Sequence, residues 1–176
     1  MLRERCLFIG DSLIEFFDWQ KRFPDKEILN LGLAGETVEG LFKRLISLID
    51  KLPPPDVILI MTGTNNLGME EYGFLGSYEK IILTFKKSFP EAKIVANSLL
   101  PMQLPWLSEQ AVPRANIALR EMSGKMAVSY LDVFNPFIRR MNRTGKACFL
   151  EDGVHLTDYG YEVWSEVIAD FLTHPG

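Results

Sequence analysis

The chain has 176 residues and a mass of 20.1 kDa, a length that suits one domain, and 47% hydrophobic against 24% charged residues is ordinary for a soluble globular protein. Lys plus Arg number 19 against 23 for Asp plus Glu, a net charge of −4 with no basic block, so nucleic acid and anionic membranes, which both need clustered cations, are not expected partners. Cys6 and Cys148 allow one disulfide at most, which excludes a disulfide scaffold, and together with two histidines they make no structural zinc set.

The chain opens on Met1-Leu2-Arg3-Glu4-Arg5 and runs into Cys6-Leu7-Phe8-Ile9, an apolar stretch too short for a signal-peptide core. No apolar run approaches the roughly 20 residues a membrane span needs. A cytoplasmic protein with free thiols and no stable membrane anchor is expected, and the glycosylation sequon at Asn142-Arg143-Thr144 then reads as coincidence.

Residues 6–9 read as the first strand, followed by Gly10-Asp11-Ser12. A second strand at 27–31 leads into Gly32-Leu33-Ala34-Gly35-Glu36-Thr37. Val38, Leu41, Phe42, Leu45, Ile46, Leu48 and Ile49 then recur on one face of a helix, with Glu39, Lys43, Arg44 and Asp50 opposite. The third strand, 56–61, is almost continuously apolar, as expected of a strand buried on both faces of a parallel sheet, and leads to Gly63-Thr64-Asn65-Asn66. A helix over 74–89 precedes a fourth strand at 93–98 and a loop, Leu100–Pro113, rich in Pro, Met and Trp. A helix over 108–124, a fifth strand at 127–131, the segment Asp152-Gly153-Val154-His155 and a last helix from Asp158 to Leu172, N-capped by Thr157, complete the chain. This alternation predicts an α/β fold in a single domain, residues 1–176, with a parallel sheet, right-handed crossovers and helices on both faces. In such sheets ligands bind beyond the carboxyl ends of the strands, and all four polar segments fall there.

Ser12 stands where a strand gives way to a helix, with its backbone N–H unpaired and its hydroxyl beside it. A serine nucleophile needs a base at neutral pH, and imidazole suits that task. Of the two histidines, His174 sits beside Pro175 and Gly176 and reads as tail, which leaves His155. Asp152, three residues earlier, can orient the ring through Nδ1–H. Gly35 lets a backbone N–H approach a substrate, and Asn65 offers an amide donor, so with the Ser12 N–H there are three donors for an oxyanion. Taken singly, each residue has a plainer reading: Ser12 a helix cap, Gly35 a turn, Asn65 a loop former, Asp152 half of a Asp-Gly turn, His155 a surface residue.

The combination resembles the SGNH/GDSL family of serine esterases and lipases, which includes small bacterial esterases, acyl-CoA thioesterase I and platelet-activating-factor acetylhydrolase subunits. FIGDS at 8–12, NLGLAG at 30–35, GTNN at 63–66 and DGVHLT at 152–157 match its four blocks in order. The resemblance implies a flavodoxin-like three-layer α/β/α sandwich with five parallel strands in the order 2-1-3-4-5. It also implies Ser12 as nucleophile, His155 as base, Asp152 as its orienting partner, and Ser12, Gly35 and Asn65 as the oxyanion hole. One departure is Asn66, where the family usually carries Asp; the missing carboxylate is expected to have supported the loop.

The expected function is hydrolysis of a carboxylic ester of short or medium acyl chain through an acyl-enzyme on Ser12, with no metal or organic cofactor. A thioesterase or carbohydrate acetylesterase would use the same site, and a non-catalytic binding module could keep the fold without the chemistry. The partner is a small-molecule ester, and a homodimer is possible. Asp11, Asn66, Met102 and Trp106 are the candidate substrate contacts, with Asp11 also supporting the nucleophile from beneath. Met102, Leu104, Trp106 and Leu107, and in a second stretch Met69, Tyr72 and Phe74, are expected either to wall the cleft or to pack the core or an oligomer interface.

Overall fold

The computed structural model describes residues 3–173, so His174 lies outside the described residues. The elements run β1 (Arg5–Gly10), α1 (Ser12–Glu15), α2 (Trp19–Arg22), β2 (Glu27–Gly32), α3 (Val38–Leu48), β3 (Val57–Met61), α4 (Thr64–Gly68), α5 (Leu75–Ser88), β4 (Lys93–Asn97), α6 (Ala111–Lys125), β5 (Ser129–Leu131), α7 (Phe134–Thr144) and α8 (Asp158–Thr173). The five strands are parallel in the order β2-β1-β3-β4-β5. This is the order the family resemblance implied, and helices flank the sheet on both sides.

Alternation along each strand divides the interior into two cores. Cys6, Phe8, Val57, Leu59, Met61 and Val95 face one side, where they pack with Trp19, Phe137 and Trp164 of the helices α2, α7 and α8. Leu7, Ile9, Ile58, Ile60, Ile94 and Ala96 face the other, against α3, α5 and α6 through Leu41, Leu45, Ile81, Phe85 and Leu119. All five residues of β3 are buried, which accounts for its unbroken apolar run.

Register brings the polar segments together. Gly10 at the end of β1 lies level with Gly32 of β2 and Met61 of β3. The segments that follow these strands therefore leave the sheet side by side. The Leu33 N–H donates to the Gly10 carbonyl at 2.9 Å and ties two of them together.

The structure differs from the sequence expectation at several elements. Helix α7 occupies residues between the fifth strand and Asp152 for which no element is expected from the sequence, although Phe134, Phe137, Ile138 and Met141 carry helical spacing. Pro136 obscures that pattern but lies in the first turn, where no intrahelical N–H is lost. The GTNN segment, expected as a loop, becomes helical from Thr64. Strand β5 starts at Ser129 rather than 127, because Ala127 takes a left-handed conformation (φ 50°) and the Val128 N–H bonds the Ser123 carbonyl at the exit of α6. Helix α6 begins at Ala111, after a turn closed by the Ala111 N–H on the Ser108 carbonyl.

Candidate active site

The turn from β1 into α1 is fixed from several directions. Asp11 caps the helix, its Oδ1 accepting the Leu13 N–H at 3.1 Å. Trp19 Nε1–H donates to the Ile14 carbonyl at 2.8 Å, and the Tyr161 hydroxyl of α8 donates to the Leu13 carbonyl at 3.1 Å. Ser12 is left with its side chain at the rim, 6% exposed. Among the described residues its backbone N–H meets no acceptor.

His155 reaches Ser12 from the loop before α8. The Ser12 hydroxyl and His155 Nε2 are 3.0 Å apart, and His155 Nδ1 is 2.6 Å from Asp152 Oδ2. The other carboxylate oxygen, Oδ1, accepts the N–H groups of Val154 and His155, both at 2.9 Å. Burial raises the Asp152 pKa, but the imidazole and these two N–H donors outweigh it, and the carboxyl is held below its ordinary value. The Leu150 N–H bonds the His155 carbonyl at 2.8 Å, and Thr157 Oγ1 accepts the Gly160 N–H at 3.1 Å, the expected cap of α8. Gly153 has φ 72°, and a Cβ there would lie 2.5 Å from the Gln103 carbonyl oxygen, so the Asp-Gly turn packs tightly on the loop after β4.

The third wall holds Gly35 and Asn65. Gly35 is left-handed (φ 74°) with open space where a side chain would be, and its N–H meets no acceptor among the described residues. Asn65 Nδ2 donates to the Glu36 carbonyl at 2.9 Å, leaving its second N–H spare. Glu36 is itself clamped: its carboxylate receives Arg44 Nε–H at 2.8 Å and Nη2–H at 2.6 Å, and Nη2 also donates to the Leu31 carbonyl at 3.0 Å. The sequence reading did not single out Glu36 and Arg44 as a pair. Only their separation of eight residues across a helix start hinted at it.

Two expected substrate contacts are corrected. Asp11 is fully buried beneath Ser12, where burial pushes its pKa up to about 6 against the pull of the Leu13 N–H and Thr64. Asn66 is also buried, and its amide is spent inside the protein: Oδ1 accepts the Val38 N–H at 2.9 Å and Nδ2 donates to Glu39 at 2.8 Å. The loop support expected of the missing Asp is thus given by an amide, which can meet both a backbone donor and a carboxylate. Glu39 stays below its ordinary pKa: burial raises it, but the hydrogen bonds, Asn66's first among them, prevail.

Met102 does line a cavity beside the site. That cavity, of about 180 Å³, is lined by Gly35 and Asn65 together with Met69, Met102, Leu104 and Val154. Trp106 does not line it; the indole lies on the surface and its Nε1–H donates to the Gly68 carbonyl at 3.0 Å. A larger groove of about 450 Å³, bounded by Tyr72, Phe74 and Arg114, includes none of the residues around Ser12. Among the described residues no group of three or more His, Cys, Asp or Glu side chains could hold a metal ion.

Comparison with known proteins bears on the family and the fold. The profile of the GDSL-like Lipase/Acylhydrolase family matches residues 8–163. The chain is 30% identical over 162 residues to human platelet-activating factor acetylhydrolase IB subunit alpha2, covering 88% of this chain and 70% of that one. A solved chain from Streptococcus pneumonia, whose name refers to platelet activating factor, superposes with a TM-score of 0.81 at 26% identity, covering 97% of this chain and 85% of that one. A lipolytic protein of the G-D-S-L family from Veillonella parvula shares the fold, with a TM-score of 0.78 at 16% identity over 97% of this chain and 99% of its own.

Proposed function

The chain belongs to the GDSL-like lipase/acylhydrolase family, and from that premise we propose that it is a serine esterase that removes short acyl groups through a covalent intermediate on Ser12. The observation that carries this reading is the hydrogen-bonded chain from Ser12 through His155 to Asp152, at 3.0 and 2.6 Å. With the imidazole proton held on Nδ1 by Asp152, Nε2 is free to accept.

Ser12 Oγ attacks the ester carbonyl carbon as its proton passes to His155 Nε2. The carbonyl oxygen becomes an oxyanion stabilised by the N–H groups of Ser12 and Gly35 and the spare amide N–H of Asn65. The bond to the alcohol breaks, the alcohol takes the proton from Nε2, and the acyl group stays on Ser12. Water then attacks the acyl-enzyme with the same proton transfers, releasing the carboxylic acid and restoring the serine. Asp152 remains ionised throughout and balances the imidazolium. No step calls on a metal or organic cofactor.

Acetyl is the favoured acyl group, in keeping with the acetylhydrolase name of the human relative. Cys6 and Cys148 are both unpaired and buried, as suits a reducing compartment such as the cytoplasm. No described helix is long and apolar enough to cross a membrane.

The test is hydrolysis of p-nitrophenyl acetate together with labelling by a fluorophosphonate. Ser12→Ala is expected to lower kcat by about 10³-fold or more and to abolish labelling. A folded native protein that neither labels nor hydrolyses would be a binding module. His155→Ala is expected to lower kcat by a comparable factor in a folded protein, and native kcat in that variant would remove His155 as base.

A further inference from the structure

We infer that the loop after β4 is the specificity element of the site: Met102 and Leu104 limit the length of the acyl group, while the alcohol side is left open. The inference rests on the ester-hydrolase reading above and extends it to substrate selection.

The geometry separates the two halves of an ester. His155 Nε2 must hand its proton to the leaving oxygen, so the alcohol lies on the His155 side. That side is open: Phe16, whose ring centroid is 5.5 Å from that of His155, is 58% exposed, and Leu150 in the same neighbourhood is 51% exposed. The carbonyl oxygen is taken by the donors at Ser12, Gly35 and Asn65. The acyl chain is then directed to the remaining side, where Gly35 and Asn65 share the lining of an open cavity of about 180 Å³ with Met102 and Leu104. Pockets for drug-sized ligands begin near ~300 Å³, so this one suits a short chain.

The segment that carries Met102 and Leu104 is also held in place. The Gln103 N–H, between the two wall residues, donates to the Gly153 carbonyl of the loop that carries Asp152 and His155, at 2.8 Å. Two residues beyond Leu104, Trp106 Nε1–H donates to the Gly68 carbonyl at the end of α4, at 3.0 Å. The segment is thus fastened on one side to the catalytic loop and on the other to the helix that carries Asn65. A wall pinned at both ends discriminates by size, whereas a loose one would give way.

Gly68 provides a test in the opposite direction. A Cβ there would lie 3.7 Å from Leu104 Cδ1 and 3.8 Å from Met102 Cε, ordinary contact without a clash. Gly68→Ala therefore adds a methyl group to the cavity wall without forcing the backbone.

The experiment measures kcat/KM for p-nitrophenyl esters from acetyl to octanoyl, and for acetyl esters of alcohols of increasing size, in the native protein, Met102→Ala, Leu104→Ala and Gly68→Ala. Leu83→Ala, on the exposed face of α5, is the control whose profile should match the native one. The truncations should raise the hexanoyl-to-acetyl ratio of kcat/KM by about 10-fold or more, the range expected when a pocket gains room for a few methylenes. Gly68→Ala should lower the same ratio, and none of the variants should move the alcohol series. An unmoved acyl profile in folded, fluorophosphonate-reactive variants would overturn the inference, as would a change in the alcohol series instead. Those outcomes leave the esterase reading intact, whereas loss of all hydrolysis and labelling in the native protein would remove that reading itself. If one truncation fails to fold, the other and Gly68→Ala still decide.

Discussion

Two carboxylates lie beside the Ser12–His155 pair, and their surroundings give them opposite properties. Asp152 is half exposed, its oxygens engaged by the His155 ring and two backbone N–H groups, and it stays ionised. In Asp152→Asn the amide oxygen can keep both backbone bonds, but Nδ2 would face His155 Nδ1 and donate to it. The ring proton is then driven to Nε2, which can no longer take the Ser12 proton. The expected result is a fall in kcat of about 10²–10⁴-fold with KM little changed and the thermal midpoint preserved. Asp11 is the opposite case, a fully buried carboxyl whose pKa is pushed from 3.8 to about 6. A raised folded pKa means that the neutral form is favoured on folding. Its stabilising effect is therefore present at low pH and lost as pH rises through about 6. Asp11→Asn keeps the cap acceptor and removes the charge. Compared with the native protein, it should gain stability between pH 4 and 8, up to about 3 kcal/mol, read from urea midpoints at each pH. Parallel curves across that range would show that Asp11 does not change its charge on folding.

The elements matter chiefly for how they hold the proposed oxyanion donors. Gly35 and Asn65 come from different crossovers, and Glu36 joins them: its carbonyl receives the Asn65 amide while its carboxylate is gripped by Arg44 of α3. The pair is largely buried, with the Glu36 side chain 6% exposed. Removing one member leaves the other charge uncompensated. Arg44→Met is expected to cost about 2 kcal/mol or more in stability, and to lower kcat by about 10-fold or more as the Leu33–Thr37 loop loosens around Gly35. A kcat loss with unchanged KM would mark misplacement of the oxyanion donors, whereas a stability loss with native kcat would assign Arg44 a purely structural role.

At the scale of the whole molecule, one sheet is shared by two cores, so the catalytic edge rests on both. Phe8 of β1 is fully buried in the core that holds Trp19 and Trp164, with its ring 5.1 Å from that of Trp19 in an edge-on contact. Phe8→Ala should cost about 3–5 kcal/mol. Because its strand also contributes Leu7 and Ile9 to the opposite core, both layers should be lost in one transition. Tryptophan fluorescence in Trp106→Phe, where only Trp19 and Trp164 of one core report, and far-UV circular dichroism, which reports all helices, should give coincident urea curves. Separate midpoints would mean that the two layers unfold independently.

The sequence by itself determined the class of fold and the chemical cast. Period-two and period-3.6 patterns are local, and so are the markers at the strand ends, so the segments that carry Ser12, Gly35, Asn65, Asp152 and His155 are legible in the sequence as the polar ends of strands. Helix α7 was legible too, in the spacing of Phe134, Phe137, Ile138 and Met141, and was obscured only by Pro136. What only the tertiary structure decided is which polar groups are consumed by the protein and which are left for a substrate. Asp11 and Asn66 carry the same functional groups as Asp152 and Asn65, one position away from Ser12 and Asn65. Yet the first two are sealed beneath the sheet edge and the other two sit at its rim. That division depends on register between strands and on partners such as Arg44 and Val38, brought together by long-range packing. The acyl cavity has the same origin, since Met102 and Leu104 become a wall only when Gln103 meets Gly153 and Trp106 meets Gly68 across the edge of the sheet.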